Sequence, residues 1–224
     1  CAPIADPDLA RGNIYGYLAD YDLAWRSMGE YLDRLAAGRP AVNILSLVPN
    51  GNLRLAVCGV VDRPATSDEL AKMKKLLAQS LAEGACGFST CLEYGPERGC
   101  SEEEVAALAR VAASFGGLYA THTRNPEGQA RETIAEAIRT GRTAELPLQI
   151  SHISVVARLQ DDGARAVAEA LEQVEQARAA DLDVGFDMHT RLFGTTQLSA
   201  ALPPWVLAGD RSAIAAPLKD HSTR

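Results

Sequence analysis

No stretch of this chain approaches the ~18 consecutive apolar residues that suggest a membrane span. A basic run is missing too. Lys and Arg number 22 against 29 Asp and Glu, a net charge of −7, which argues against a nucleic-acid partner. There is no charged-then-apolar leader, so export is not expected. The five cysteines (Cys1, Cys58, Cys86, Cys91 and Cys100) lack the spacing of zinc ribbons or disulfide scaffolds, and a reducing cytoplasm fits them. Neither Gly-x-Gly-x-x-Gly nor a P-loop occurs, which speaks against a nucleotide cofactor. Nothing in the composition marks a linker or an internal domain boundary.

What the chain does contain is an ordinary globular composition, 47% hydrophobic and 23% charged over 224 residues, enough for one large core. Ser27 with Glu30 forms a capping box that opens a helix closed by Gly38 and Pro40. Residues 41–48 read as a buried strand running into a turn at Pro49-Asn50-Gly51. Thr66 with Glu69 opens a second helix, striped by Leu70, Met73, Leu77 and Leu81 and stopped at Gly84. A strand over 86–92 follows. Ser101 and Glu104 cap a third helix, with Val105, Leu108, Val111 and Phe115 facing inward. Strands over 118–124 and 146–152 flank a helix near 127–140. A helix near 163–180, carrying Val167, Leu171 and Val174, precedes a fifth strand over 183–187. Five such alternations predict a parallel sheet covered by helices. Periodicity alone leaves two architectures open, a doubly wound sheet and most of a closed (β/α)8 barrel.

Two of the strands end alike, in a small hydroxyl residue followed by histidine: Thr121-His122 and Ser151-His152. One βα unit separates the histidines, so their strands are expected to be parallel neighbours ~4.8 Å apart. Two imidazoles at matching strand ends could then reach one metal ion. Zinc suits imidazole, although a catalytic zinc usually takes three protein ligands plus water. The bland alternative is a pair of histidines hydrogen-bonded at strand ends without metal. Thr121 and Ser151 are expected to orient their surroundings rather than to bind metal. Asp187 and His189 end the fifth strand on the same rim, and either could join the site. Arg124 and Arg191, just past strand ends, are candidates for gripping a substrate carboxylate; a surface ion pair is the alternative for each. Tyr94, after a strand, is a candidate donor to a developing oxyanion or else a packed tyrosine. Ser89 lacks the strand-then-helix setting of a nucleophile elbow. No cysteine has a histidine close by in sequence.

Three segments together, Gly84-Ala-Cys-Gly-Phe-Ser-Thr-Cys-Leu-Glu-Tyr94, Gly116-Gly-Leu-Tyr-Ala-Thr-His-Thr-Arg124 and Leu148-Gln-Ile-Ser-His152, resemble the N-acyl-D-amino-acid deacylases of the amidohydrolase superfamily. Asp187 to Thr196 and Leu202-Pro-Pro-Trp205 continue the likeness in the same order. The resemblance implies a zinc-bearing TIM barrel that hydrolyses the amide of small N-acylated D-amino acids, with His122 and His152 as zinc ligands. It also implies that this chain is the middle of a longer enzyme, with further metal ligands upstream and a catalytic aspartate downstream. Three departures stand out: Asn50-Gly51 in place of His-Gly, Ser154 in place of a carboxylate-binding Lys, and Asp187-Met-His189-Thr-Arg191 in place of Asp-x-Tyr-Pro-Tyr. Ser154, His189 and Arg191 are therefore the expected substrate-binding positions beside Arg124, with Arg191 supplying the charge missing at Ser154. Two other readings stay open: a cyclic amide or imide hydrolase on the same scaffold, and a catalytically inert segment.

Overall fold

The computed structural model describes residues 2–10, 22–124, 130–153, 163–188 and 215. A single helical turn, α1 (Pro7–Ala10), and helix α2 (Met28–Ala37) lead into strand β1 (Leu47–Pro49) and helix α3 (Asn50–Val57). Helix α4 (Ser67–Ala82), strand β2 (Gly87–Cys91), helix α5 (Glu102–Ser114) and strand β3 (Leu118–His122) follow. Helix α6 (Ala130–Ala144), strand β4 (Leu148–Ile150), helix α7 (Gly163–Ala179) and strand β5 (Val184–Phe186) complete the described elements. None of the described helices is long and apolar enough to cross a membrane.

All four strand pairings are parallel, and the spatial order is the chain order, β1-β2-β3-β4-β5. A doubly wound sheet must reverse direction once, because its helices cover both faces. Here nothing reverses. Right-handed crossovers in one direction place every connecting helix on one side, and α4, α5, α6 and α7 indeed pack each against the next. That is the wall of a barrel, and it decides between the two architectures the periodicity leaves open.

Side chains alternate across this wall with the two-residue period of strands. Val48, Phe88, Tyr119 and Ile150 are buried on the helix side, against Met73, Leu77 and Leu108. Phe88 stacks on Tyr119, and the hydroxyls of Thr90, Tyr119 and Thr121 bond one another in the same layer. Thr121, one of the two hydroxyl residues preceding a histidine, therefore serves the core. Ser89, Cys91 and His122 point to the opposite, concave side and are only half-buried.

Local side-chain caps mark the starts of α2, α4 and α5. Capping boxes form at Ser27/Glu30 and Thr66/Glu69 as expected. At α5 only half of the device is present. Ser101 accepts the Glu104 N–H, but the Glu104 carboxylate turns inward to Arg54 and the Ala65 N–H. Phe115, expected to face inward, is 49% exposed at the end of that helix. In α7 the inward face is set by Ala170, Val174 and Ala177.

Two expectations near the start of the sheet are corrected. Residues 41–46 are not strand, and Val42 and Leu45 lie at the surface. Pairing starts only where Cys86 N–H meets the Ser46 carbonyl, because residues just before Cys86 still form the turn that ends α4. With no neighbour to bond, an apolar run does not become a strand. The expected turn at Asn50-Gly51 is instead the first turn of α3. Pro49 provides no side-chain cap there; the Gly51 N–H is capped by Glu97, 46 residues away. A Cβ at position 51 would lie 2.9 Å from that carboxylate oxygen, so the close approach depends on glycine.

Candidate metal centre

His122 ends β3 and His152 follows β4 by two residues, on neighbouring strands as their spacing predicts. Nδ1 of His122 and Nε2 of His152 face each other at 3.0 Å, with ring centroids 4.5 Å apart and the planes 70° from parallel. Two imidazole nitrogens sharing a tetrahedral zinc at ~2.05 Å each would lie ~3.3 Å apart. A separation of a few tenths of an ångström would admit the ion, and the donors are of a type zinc accepts. The pair fits a metal. Among the described residues no third histidine, cysteine or carboxylate joins it.

Each histidine is held by a carboxylate. Glu93, just past β2, places Oε2 2.7 Å from His122 Nε2. Asp187, just past β5, accepts the His152 backbone N–H at 2.6 Å through Oδ1 and the Gln149 side-chain amide at 2.9 Å through Oδ2. His152 has φ +37°, a left-handed conformation uncommon for a residue with a Cβ. Its backbone is held there from both sides, since the Ser151 N–H reaches the Thr121 carbonyl and the Ile153 N–H the Asp187 carbonyl. Tyr94 packs its ring 5.2 Å from the His122 ring, at a tilt of 43°. It thus stands beside the histidine pair.

Arg124 is differently placed. Its Nε contacts both oxygens of Glu136 at 3.0 and 3.1 Å, Nη1 donates to the Arg98 carbonyl at 2.8 Å, and Nη2 donates to the Cys100 carbonyl. All three nitrogens anchor the 98–100 loop to α6, which is the ion-pair alternative. Ser154, His189 and Arg191 lie outside the described residues.

The loop after β2 carries a second acid that sequence reasoning passed over. Glu97 is buried, and its two oxygens accept the backbone N–H groups of Gly51 and Cys91. Burial pushes its carboxyl up to about 7, against the pull of the Cys91 N–H, Asn50, the Gly51 N–H and Arg54. Burial, with Glu97 and Glu93 nearby, pushes the Cys91 thiol up to about 12, so it stays protonated at neutral pH. Glu93 was also passed over. Its one signal was position: two residues beyond a strand end that pairs directly with His122, on the same rim.

No family model matches the chain. It is 35% identical over 169 residues to the D-aminoacylase of Alcaligenes xylosoxydans xylosoxydans, covering 75% of this chain and 34% of that protein. It is 33% identical over 162 residues to the N-acyl-D-glutamate deacylase of the same organism, covering 72% and 33%. The chain thus spans about a third of the length of the curated relatives it matches. A crystal structure of a D-aminoacylase superposes with a TM-score of 0.73 at 34% identity, over 85% of this chain and 39% of that one. The N-acyl-D-glutamate deacylase of Bordetella bronchiseptica, solved with zinc and a phosphonate mimic of the reaction's tetrahedral intermediate, gives 0.73 at 29% identity over the same shares.

Proposed function

The chain belongs to the D-aminoacylase family of the amidohydrolase superfamily, its sheet being part of a TIM-barrel wall, and from that premise we propose that the protein hydrolyses the amide bond of N-acyl-D-amino acids. The products are a carboxylic acid and a D-amino acid. The observation that carries the reading is the pair of imidazole nitrogens converging at 3.0 Å on the concave side of the wall. Barrel enzymes place their chemistry at these C-terminal strand ends.

His122 and His152 are the residues that would hold zinc. When bound, zinc polarises the acyl carbonyl and makes water nucleophilic near neutral pH. The chain's own residues do the rest of what is assigned here. Glu93 and Asp187 hold the two histidines in place. Tyr94, packed beside His122, donates a hydrogen bond from its phenolic O–H to the substrate oxygen on which negative charge develops. Arg191 receives the substrate carboxylate, the role for which Ser154 has no charge, and His189 is assigned to substrate binding with it. Arg124 supports the rim through Glu136 rather than touching substrate. The four described cysteines, Cys58, Cys86, Cys91 and Cys100, are all free, which supports a reducing cytoplasm as the compartment.

Assay of the full chain on N-acyl-D-amino acids, their L enantiomers and cyclic imides, with metal content measured on the same sample, tests the proposal. Turnover of the D substrates with zinc present supports it. Preferential turnover of cyclic imides, or a protein that retains no zinc, overturns it. Arg191→Ala is expected to raise KM for acylated amino acids with kcat little changed; unchanged affinity with intact turnover would remove Arg191 from the site.

A further inference from the structure

We propose that Glu93 is a positioning residue: it sets the orientation and tautomer of His122 so that the Nδ1 lone pair faces His152. The inference rests on reading the two histidines as zinc ligands.

An ionised carboxylate only accepts hydrogen bonds. Glu93 Oε2 lies 2.7 Å from His122 Nε2, and the ring tautomer that lets a carboxylate accept there is the one with its hydrogen on Nε2. A neutral ring protonated at Nε2 presents its lone pair at Nδ1, the atom 3.0 Å from His152 Nε2. The Glu93 contact at Nε2 thus leaves Nδ1 as the nitrogen of His122 that faces His152. His152 has no equivalent instruction from Asp187, which grips its backbone N–H rather than its ring.

The local chain explains how Glu93 reaches the ring. Cys91 is in register with His122, and the next N–H, that of Leu92, bonds the His122 carbonyl at 3.0 Å. Pairing stops there. The Tyr94 N–H closes a turn onto the Cys91 carbonyl, and Glu97 takes the Cys91 N–H. That turn leaves the Glu93 carboxylate at one edge of the imidazole with the Tyr94 ring beside it. Of the two acids in this loop, Glu97 goes to the backbone and Glu93 to the ring. Side-chain exposures of 28% for Glu93 and 21% for His122 keep the contact partly shielded from water, which weakens it less than full exposure would. A metal-bound histidine whose second nitrogen donates to a carboxylate is better oriented and more basic, and loss of that partner typically costs ~10–100-fold in metal affinity.

The test measures zinc affinity by chelator competition in the full chain, for the parent, Glu93→Gln and Glu93→Ala. The His122 tautomer is read by nitrogen NMR, and thermal midpoints are taken without metal. Glu93→Ala is expected to bind zinc ~10–100-fold more weakly. Glu93→Gln, which keeps an acceptor but not the charge, should lose less, and both should keep the parent's metal-free midpoint. The Nε2–H tautomer should dominate in the parent and lose its excess in Glu93→Ala. Should Glu93→Ala fail to fold, the isosteric Glu93→Gln carries the comparison. Variants that bind zinc as tightly as the parent with the same tautomer overturn the assignment to Glu93 alone. A parent that binds no zinc overturns the metal reading, and the tautomer comparison then decides separately whether Glu93 sets the ring.

Discussion

Two polar clusters grow from the loop that follows β2, and they differ in what their side chains are left to do. One is closed. Arg54 of α3 is fully buried and donates from Nε to the Pro96 carbonyl at 2.7 Å, from Nη1 to Glu104 at 2.5 Å and from Nη2 to the Arg63 carbonyl at 2.6 Å. Glu104 returns its other oxygen to the Ala65 N–H. The other cluster is open. His122 and His152 meet nitrogen to nitrogen, partly exposed, each braced from behind by a carboxylate. In the first, every charged group finds its partner within the protein, so the cluster locks α3, α5 and two loops together. In the second, bracing comes from outside the pair, and the two ring nitrogens converge on the concave side of the wall. Equal polarity does not mean equal purpose; satisfaction of the donors and acceptors separates architecture from site.

The contrast makes opposite demands on mutants. On the proposed function, His152→Ala, which removes half of the converging pair, should cut turnover of N-acyl-D-amino acids by ~10³-fold or more, about 4 kcal/mol of transition-state stabilisation, while the denaturant midpoint stays put. A large shift in that midpoint would make the histidines structural and erase the distinction. Arg54→Met should do the reverse. Leaving Glu104 buried without its cation is expected to cost about 3–5 kcal/mol in equilibrium unfolding, with effects on turnover only through the folded fraction.

Glu97 joins the closed cluster through pH. Its folded value, about 7, is raised above the ordinary carboxyl value of 4.5. A raised value means the folded state holds the proton more tightly than the unfolded chain does. The contribution is therefore complete below about 4.5 and fades as pH rises through about 7, by about 3 kcal/mol at most. Unfolding of the parent and of Glu97→Gln across pH 4–8 should show that decline in the parent and a flatter profile in the variant. A parallel profile would mean that the two backbone N–H donors keep Glu97 ionised throughout. The smallest effect belongs to Ser101→Ala, which removes only a local cap from α5 and should cost about 1 kcal/mol. Glu104→Gln, three residues on, should cost several times more, since it disturbs Arg54; equal costs would reduce Glu104 to a local helix signal.

Much of this was legible beforehand because it is local. Ser27, Thr66 and Ser101 announce their helices within four residues, and Met73, Leu77 and Leu81 mark the inward stripe of α4 at helical spacing. The two hydroxyl-histidine endings, 30 residues apart, foretold a neighbouring pair, because one crossover helix returns the chain to the adjacent strand. Arg124 was legible as a charge at a strand end but not as an anchor for Glu136. Glu93, Glu97 and Arg54 were illegible as partners, for each acts on a residue at least 29 positions away in the chain.

By itself, then, the amino-acid order determined the succession of strands and helices, the inward stripes and the identity of the two histidines, since these depend on propensities and spacings within a turn or one βα unit. The family resemblance already implied a barrel where periodicity left the sheet open; tertiary structure alone decided that Asn50-Gly51 starts a helix and which carboxylate reaches the His122 ring. Those outcomes depend on groups brought together only when the chain closes on itself, where a buried donor must find whichever acceptor the fold delivers.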